Sequence, residues 1–505
     1  MKYQNPVIPG FYPDPSICRV DDDYFLVCSS CEYFPGAPLF HSKDLVHWQQ
    51  IGYCLIRKSQ LDLSKTYFSR GIYAPTIRHH CGTFYVITTN VSASGNFFIH
   101  TEDPFSEWSD PVRVDVPGID PDLFFDDDGT VYLSISDSSN GYIRISQCTI
   151  DIKTGEILSP LKDIWEGSGG YGPETPHIYK INDYYYLMIA EGGTEYGHMA
   201  TIARSRKPDG PFEACPGNPI LTHRSSGSPI QGLGHADLVQ AHDGNWWAVC
   251  LGFRFVGYQR YHFLGRETYL APVTWNKNGW PIIGDNSRIA LEMEADCLPS
   301  HAWPEPPVRD NFDKPDLSLC WNFIGNPCEG KWSLTERPGS LCLFGQSENL
   351  DAMNPSPVFI GRRQCHFEIE VSTLLDFNPK NEGEEAGLTT FQNLKHHYEI
   401  AVIFKHGKRV IIVRRIIGSL CAVVAEREIG AGQVRLIIRG DKEIYRFLFL
   451  EENQPEVELA QGETRYLSTE VGGWFTGVFL GMYATGNGRA CTSKAYFDWF
   501  DYFFK

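Results

Sequence analysis

The sequence predicts an all-β protein, a five-bladed β-propeller followed by a β-sandwich. Three observations carry that prediction. A strand frame recurs five times within residues 1–297, a proline-rich stretch interrupts it at 298–312, and residues 313–505 carry short alternating strands without the frame.

In the frame an anchor, usually proline, is followed two residues later by an apolar residue and then by a strand-like run. Pro15 precedes Ile17 and YFLVCSS (24–30), and Pro75 precedes Ile77 and FYVITTN (84–90). Pro121 precedes Leu123 and VYLSIS (131–136), Pro176 precedes Ile178 and YYYLMIA (184–190), and Ala236 precedes Leu238 and WWAVCLG (246–252). Repeats of about 40–50 residues, each supplying several short strands, are the signature of a propeller. Beside the anchors lie Asp14, Ala74 (with Tyr73 before it), Asp120, Glu174 and His235, with Thr175 between Glu174 and its proline. Radial repetition would bring these positions to one place on the central axis. Proline is tolerated as a strand's first residue, which explains the prolines but not the acids.

Composition bounds the function. The chain has 505 residues, 42% hydrophobic and 21% charged, with a formal net charge of −18. Such a surface repels nucleic acid. MKYQNPVIPG has no apolar signal core, and no run of 18 apolar residues suggests a membrane span. Cytoplasmic location is therefore expected, and the 15 scattered cysteines read as reduced core thiols. The C-x-x-C from Cys28 to Cys31 lacks the second pair of a zinc site.

In chain order, four prolines between positions 5 and 15 exclude a helix and predict an extended lead-in to Asp14. Asp21–Asp23, Asp126–Gly129 and His242–Asn245 fall at equivalent places between strands and read as turns, not cation loops. Runs such as 29–52, 97–112 and 201–221 would complete the outer strands of blades. LGRETYLAPVTW (264–275) puts Arg266 at a strand mouth, where it would hold an acid in place, meet substrate hydroxyls, or simply be a surface arginine. His235 reads either as a member of the site or as a hydrogen-bonded core histidine. Beyond the linker, CHFEIEVSTLL (365–375), HYEIAVIFK (397–405), RVIIVRRI (409–416), QVRLIIRG (433–440) and YRFLFLEE (445–452) predict sandwich strands.

Carboxylates meeting in one cavity suit glycoside hydrolysis, in which one acid protonates the leaving oxygen and another activates water. A third raises the acid's pKa by like-charge proximity. Nucleophile elbow, zincin, Walker A and dinucleotide motifs are absent from the sequence.

The chain resembles glycoside hydrolase family 43, in its group of β-xylosidases and α-L-arabinofuranosidases with a C-terminal sandwich. The likeness rests on NPVIPGFYPDPSI, EYFPGAPLFHSKDLVHW, GIYAPTIRHHCGTFYV, GIDPDLFFDDDG, ETPHIYK, AEGGTEYGH, GHADLVQAHDGNWWAV and LGRETYLAPV, with FTGVFLGMYA (475–484) in the second domain. The resemblance implies a concanavalin- or lectin-like sandwich and an inverting mechanism. It makes Asp14 the general base, Glu174 the general acid and Asp120 the group that tunes that acid. It puts Arg266, His235, Tyr73, Thr194 and Phe34 around the substrate. It implies no required cofactor, with His235 at an axial position where some relatives hold calcium, and a sandwich loop at the pocket mouth. The expected partner is a small oligosaccharide, and assembly into a homo-oligomer is left open. The expected activity is release of xylose from the non-reducing end of β-1,4-xylo-oligosaccharides. The alternatives are α-L-arabinofuranosidase or dual activity, and a non-catalytic sugar-binding propeller. Cys31 and Tyr73 depart from the family pattern and alter the sugar-facing wall, as does DSSNGY (137–142), which offers no aromatic platform.

Overall fold

The computed structural model describes residues 2–294, 298–354, 356–473 and 475–505. Five antiparallel sheets follow one another along the first part of the chain, each built from strands in near-sequential order. Their innermost strands are Ser16–Val20, Ile72–His80, Ile119–Phe125, Glu174–Ile181 and Ile230–Gln240, and the fifth returns to lie beside the first. Pro15 immediately precedes the first, and the anchors Pro75, Pro121, Pro176 and Ala236 lie within the other four. The second strands, Asp23–Val27, Thr83–Asn90, Val131–Asp137, Tyr184–Glu191 and Trp246–Arg254, fall on the five predicted runs. Side chains of the inner, second and third strands fill the wedges between blades: Ile87, Phe98, Leu123, Leu133 and Ile135 between the second and third, and Met188, Leu233, Ala248 and Tyr269 between the fourth and fifth. Burial of such stripes is the main driving force of the fold, at about 25 cal/mol per Å².

Lys2–Gln4 pairs with Glu292–Glu294, so the start of the chain ties down the end of the fifth blade. The three acidic or His-Asp stretches are hairpin turns, as their Asp-Gly and Asp-rich chemistry predicts; Gly129 and Gly244 donate back to Asp126 and Ala241. The predicted boundary at 297 lies outside the described residues. From 299 to 308 the chain has no regular structure. It lies along the first blade, where Trp303 Nε1 donates to the His47 carbonyl at 3.2 Å.

Two further antiparallel sheets form the sandwich. One contains Leu341–Phe344, Lys494–Phe504, Ile369–Phe377, Val434–Gly440, Ile444–Glu451 and Val457–Glu463. The other contains Val358–Arg363, Phe479–Thr485, Glu385–Asn393, His396–Lys405, Lys408–Ile417 and Leu420–Glu428. Alternation places Val371, Leu375, Leu436 and Ile438 of one sheet against Leu388, Ile400 and Val402 of the other.

The two domains are joined by a shared core. Tyr33–Phe34 pairs with Phe323–Ile324, Tyr33 stacks on Phe479 at 3.8 Å, and Arg363 Nε donates to the Phe11 carbonyl at 2.7 Å. This corrects one expectation. Phe34 does not line the substrate cavity; its ring is buried in the domain interface, because its short strand is paired with the sandwich.

Candidate active site

One end of the propeller axis opens into a cavity of about 430 Å³, its mouth included. Asp14, Asp120, Glu174, His235, Arg266, Thr194 and Tyr73 all line it, as do Cys31, Ala74, Ile119 and Phe475.

The backbone explains how four blades aim side chains at one point. Asp14, Asp120, Thr175 and His235 have φ of 55°, 57°, 56° and 50°. The pairing register slips at the same places in the third, fourth and fifth blades, between Ile119 and Asp122, Glu174 and His177, and Gly234 and Asp237. A left-handed residue in a bulge turns its side chain out of the strand's alternation. Aspartate tolerates that conformation, but for β-branched threonine it is a true outlier, and such strain collects at functional sites. Thr175, not Glu174, therefore occupies the fourth blade's equivalent of Asp14. Glu174 reaches the cavity from one residue outside, and its side chain keeps 23% exposure while its neighbours are buried. The second blade offers Ala74 and contributes wall only.

Hydrogen bonds hold these groups in place. Asp14 Oδ2 accepts from Ser29 at 2.5 Å and Oδ1 from Arg266 at 3.0 Å. Arg266 also donates to Thr194 at 2.8 Å and lies 5.0 Å above the Phe475 ring. Its Nε is buried and unpartnered, a donor left for a ligand hydroxyl. Thr175 donates to Asp120 at 3.2 Å and contacts His235 Nδ1 at 2.8 Å. A hydroxyl carries one proton, so His235 donates from Nδ1 to Thr175. His235 Nδ1 also lies 3.7 Å from Asp14.

These surroundings separate the acids electrostatically. Burial acts to raise Asp14, but Arg266 and the Ser29 hydroxyl outweigh it and hold its carboxyl below the ordinary range. Glu174 is driven well above the ordinary range by burial, then by the charges of Asp120 and Asp14. Asp120 is also raised, by burial and then by Asp14, so it competes with Glu174 for protons. Burial holds His235 neutral, its pKa pushed down to about 3. An ionised carboxylate and a protonated carboxyl lining one cavity can take a proton at one point and supply one at another.

Three participants escaped the sequence reading. Thr175 was noticed only as a spacer. His198 donates from Nδ1 to the Gly232 carbonyl and turns Nε2 toward Glu174, 3.9 Å away. Phe475 is the aromatic that the sandwich lends to the mouth, and it meets the Tyr73 ring edge-on at 6.0 Å. Its segment is seated by Val478 N donating to Phe263 O and by contact of Gly477 with the 264–265 backbone. A Cβ on Gly477 would lie 2.3 Å from the Leu264 carbonyl oxygen. Nothing local in FTGVFLGMYA marks the phenylalanine as pocket-lining. Cys31 is a buried wall thiol, raised well above its ordinary pKa by burial, and so no nucleophile.

The calcium implied at His235 does not fit this axis. Calcium takes about six to eight oxygen ligands, whereas Asp14 is occupied by Arg266 and Ser29, and Asp120 by Thr175. Among the described residues no group of three or more His, Cys, Asp or Glu side chains is disposed to hold a metal ion.

A five-bladed propeller with a carboxyl-lined axial cavity, closed by a sandwich loop, defines a glycoside hydrolase. Residues 3–281 match the model of glycosyl hydrolases family 43, and residues 309–503 match the β-xylosidase C-terminal concanavalin A-like domain. The chain belongs to family 43. It is 46% identical over 506 residues to a non-reducing end α-L-arabinofuranosidase of Bacteroides ovatus, covering 99% of this chain and 94% of that protein. It is 40% identical to a xylosidase/arabinosidase of Butyrivibrio fibrisolvens, covering 98% of each. The crystal structure of a xylan β-1,4-xylosidase from Bacillus halodurans superposes with a TM-score of 0.93 at 35% identity, over 99% of both chains.

Proposed function

We propose that this protein is an inverting exo-glycosidase that removes a terminal pentose, with β-1,4-xylo-oligosaccharides as its substrate. The observation that carries the reading is the convergence of Asp14, paired with Arg266 at 3.0 Å, and Glu174 on one axial cavity. Asp14, held ionised by Arg266, is the general base that activates water. Glu174, held protonated, is the general acid that protonates the leaving oxygen. Asp120 raises the acid's pKa and, through Thr175, orients His235. Arg266, Thr194 and His235 meet substrate hydroxyls, and Tyr73, Cys31 and Phe475 form the wall. The bond from the anomeric carbon to the leaving oxygen breaks as water adds from the opposite face. The water's proton goes to Asp14 and the Glu174 proton to the leaving hydroxyl.

A second reading, α-L-arabinofuranosidase, is favoured by the Bacteroides ovatus relative. The two sugars present similar hydroxyls to one pocket. Initial rates on nitrophenyl β-xyloside and nitrophenyl α-arabinofuranoside decide between them. Proton NMR in the first minutes should show α-xylose from the β-xyloside. First appearance of the β-anomer would mean a covalent intermediate. No hydrolysis of either substrate would leave a sugar-binding propeller.

A further inference from the structure

Directly along the axis from the cavity lies a polar cluster to which all five blades contribute. Ser16, Asp122, His177 and Asp237 each stand two residues beyond Asp14, Asp120, Thr175 and His235 on the same inner strands. All four are buried, none more than 2% exposed. The second blade, which brings Tyr73 and Ala74 to the cavity wall but no charged group, contributes Arg78 here. Its Nη1 lies 2.9 Å from Asp237 and 3.4 Å from Ser16 Oγ. Its Nη2 lies 2.9 Å from Asp122 and donates to His177 Nδ1 at 3.0 Å. Asp237 is saturated by Ser16 Oγ at 2.7 Å, Ile17 N at 3.0 Å and Tyr179 Oη at 2.6 Å.

We propose that Arg78 is the resident cation of this propeller's axis and a positioning residue for the active site. Two buried carboxylates from different blades facing one axis need a positive charge, since unpaired buried charges are costly. Bound ions can supply that charge; here a planar guanidinium does, and its fork reaches four other strands at once. Each strand is gripped two residues from the group it presents to the cavity. The grip sets how Asp14, Asp120, Thr175 and His235 face one another. No divalent ion is needed for this, and the inference holds whichever pentoside is cleaved.

The test has a metal arm and a mutational arm. Thermal unfolding of wild type should be unmoved by EDTA and by added calcium chloride. A wild type that loses stability in EDTA and regains it with calcium would place the axial charge on a metal and overturn the proposal. Arg78→Met should unfold at lower temperature. Assayed well below that temperature, it should lose about 10- to 100-fold in kcat, the scale of a small misplacement of reacting groups, with little change in KM. Arg78→Lys should recover part of the loss, because one ammonium cannot span both carboxylates. A folded Arg78→Met with kcat within about twofold of wild type would refute the positioning role. If Arg78→Met does not fold, Arg78→Lys carries the same comparison: reduced kcat at retained KM supports the role, and unchanged kcat refutes it. The metal arm reads unfolding alone, so it stands even if neither nitrophenyl pentoside proves to be a substrate.

Discussion

Glu32 is 1% exposed at the junction of the blades and the sandwich, one residue from the cavity wall at Cys31. Its Oε2 accepts the Ser69 N–H at 2.9 Å, and its Oε1 has no partner. Ser69 Oγ in turn accepts the Phe475 N–H at 3.1 Å, so this acid underlies the loop that closes the pocket. Burial pushes its pKa from the ordinary 4.5 up to about 8, against the lowering effect of the backbone N–H groups. The folded protein therefore keeps a proton between those values that the unfolded chain has released, and stability falls as pH rises through that window. At 1.36 kcal/mol for each tenfold change, the cost is under about 1 kcal/mol at pH 5 and roughly 4 kcal/mol at pH 8. Glu32→Gln keeps the shape and the Ser69 contact but has no proton to lose. In urea unfolding at pH 5, 6, 7 and 8, its stability relative to wild type should therefore grow by about 3 kcal/mol across the series. A gap that stays constant with pH would refute the buried, protonated Glu32.

Further variants test the site. Glu174→Ala should lose about 10²–10⁴-fold on xylobiose and clearly less on a nitrophenyl xyloside, whose leaving group needs little protonation. Asp14→Ala should lose similarly on both, and the opposite pattern in kcat/KM would reverse acid and base. Asp120→Asn removes a charge that holds the Glu174 proton, so the alkaline limb of the pH–rate profile should move to lower pH. Arg266→Met frees Asp14 from its ion pair, so the acid limb should move up by about 1–3 pH units; an unmoved limb would mean that Arg266 does not set the base. His235 and His198 are held neutral by burial, at about 3 and about 4 against an ordinary 6.5. The unfolded chain binds protons there that the folded one refuses, so stability should fall as pH drops from 6.5 toward 4. His235→Asn should flatten that slope, measured as melting temperature against pH.

What the sequence by itself determined is whatever is written locally and repeated. Five frames with their aromatic second strands located the blades, because strand patterning is a short-range signal. The same frames picked out Asp14, Asp120, Glu174 and His235, since a repeated position recurs at the same radius. The sandwich strands from 365 to 452 were legible for the same reason, by alternation. Only the tertiary structure decided matters that depend on closure of the ring and docking of the domains. It gave Thr175 the left-handed slot, because backbone strain leaves no mark in residue type. It took Phe34 into the interface, because its pairing partner lies some 290 residues away at Phe323. It brought Phe475 to a cavity whose first acid is residue 14, and set Arg78 between two carboxylates on other blades. Each of these contacts joins segments far apart in sequence, and their chemistry exists only once the blades have closed into a ring and the sandwich has docked.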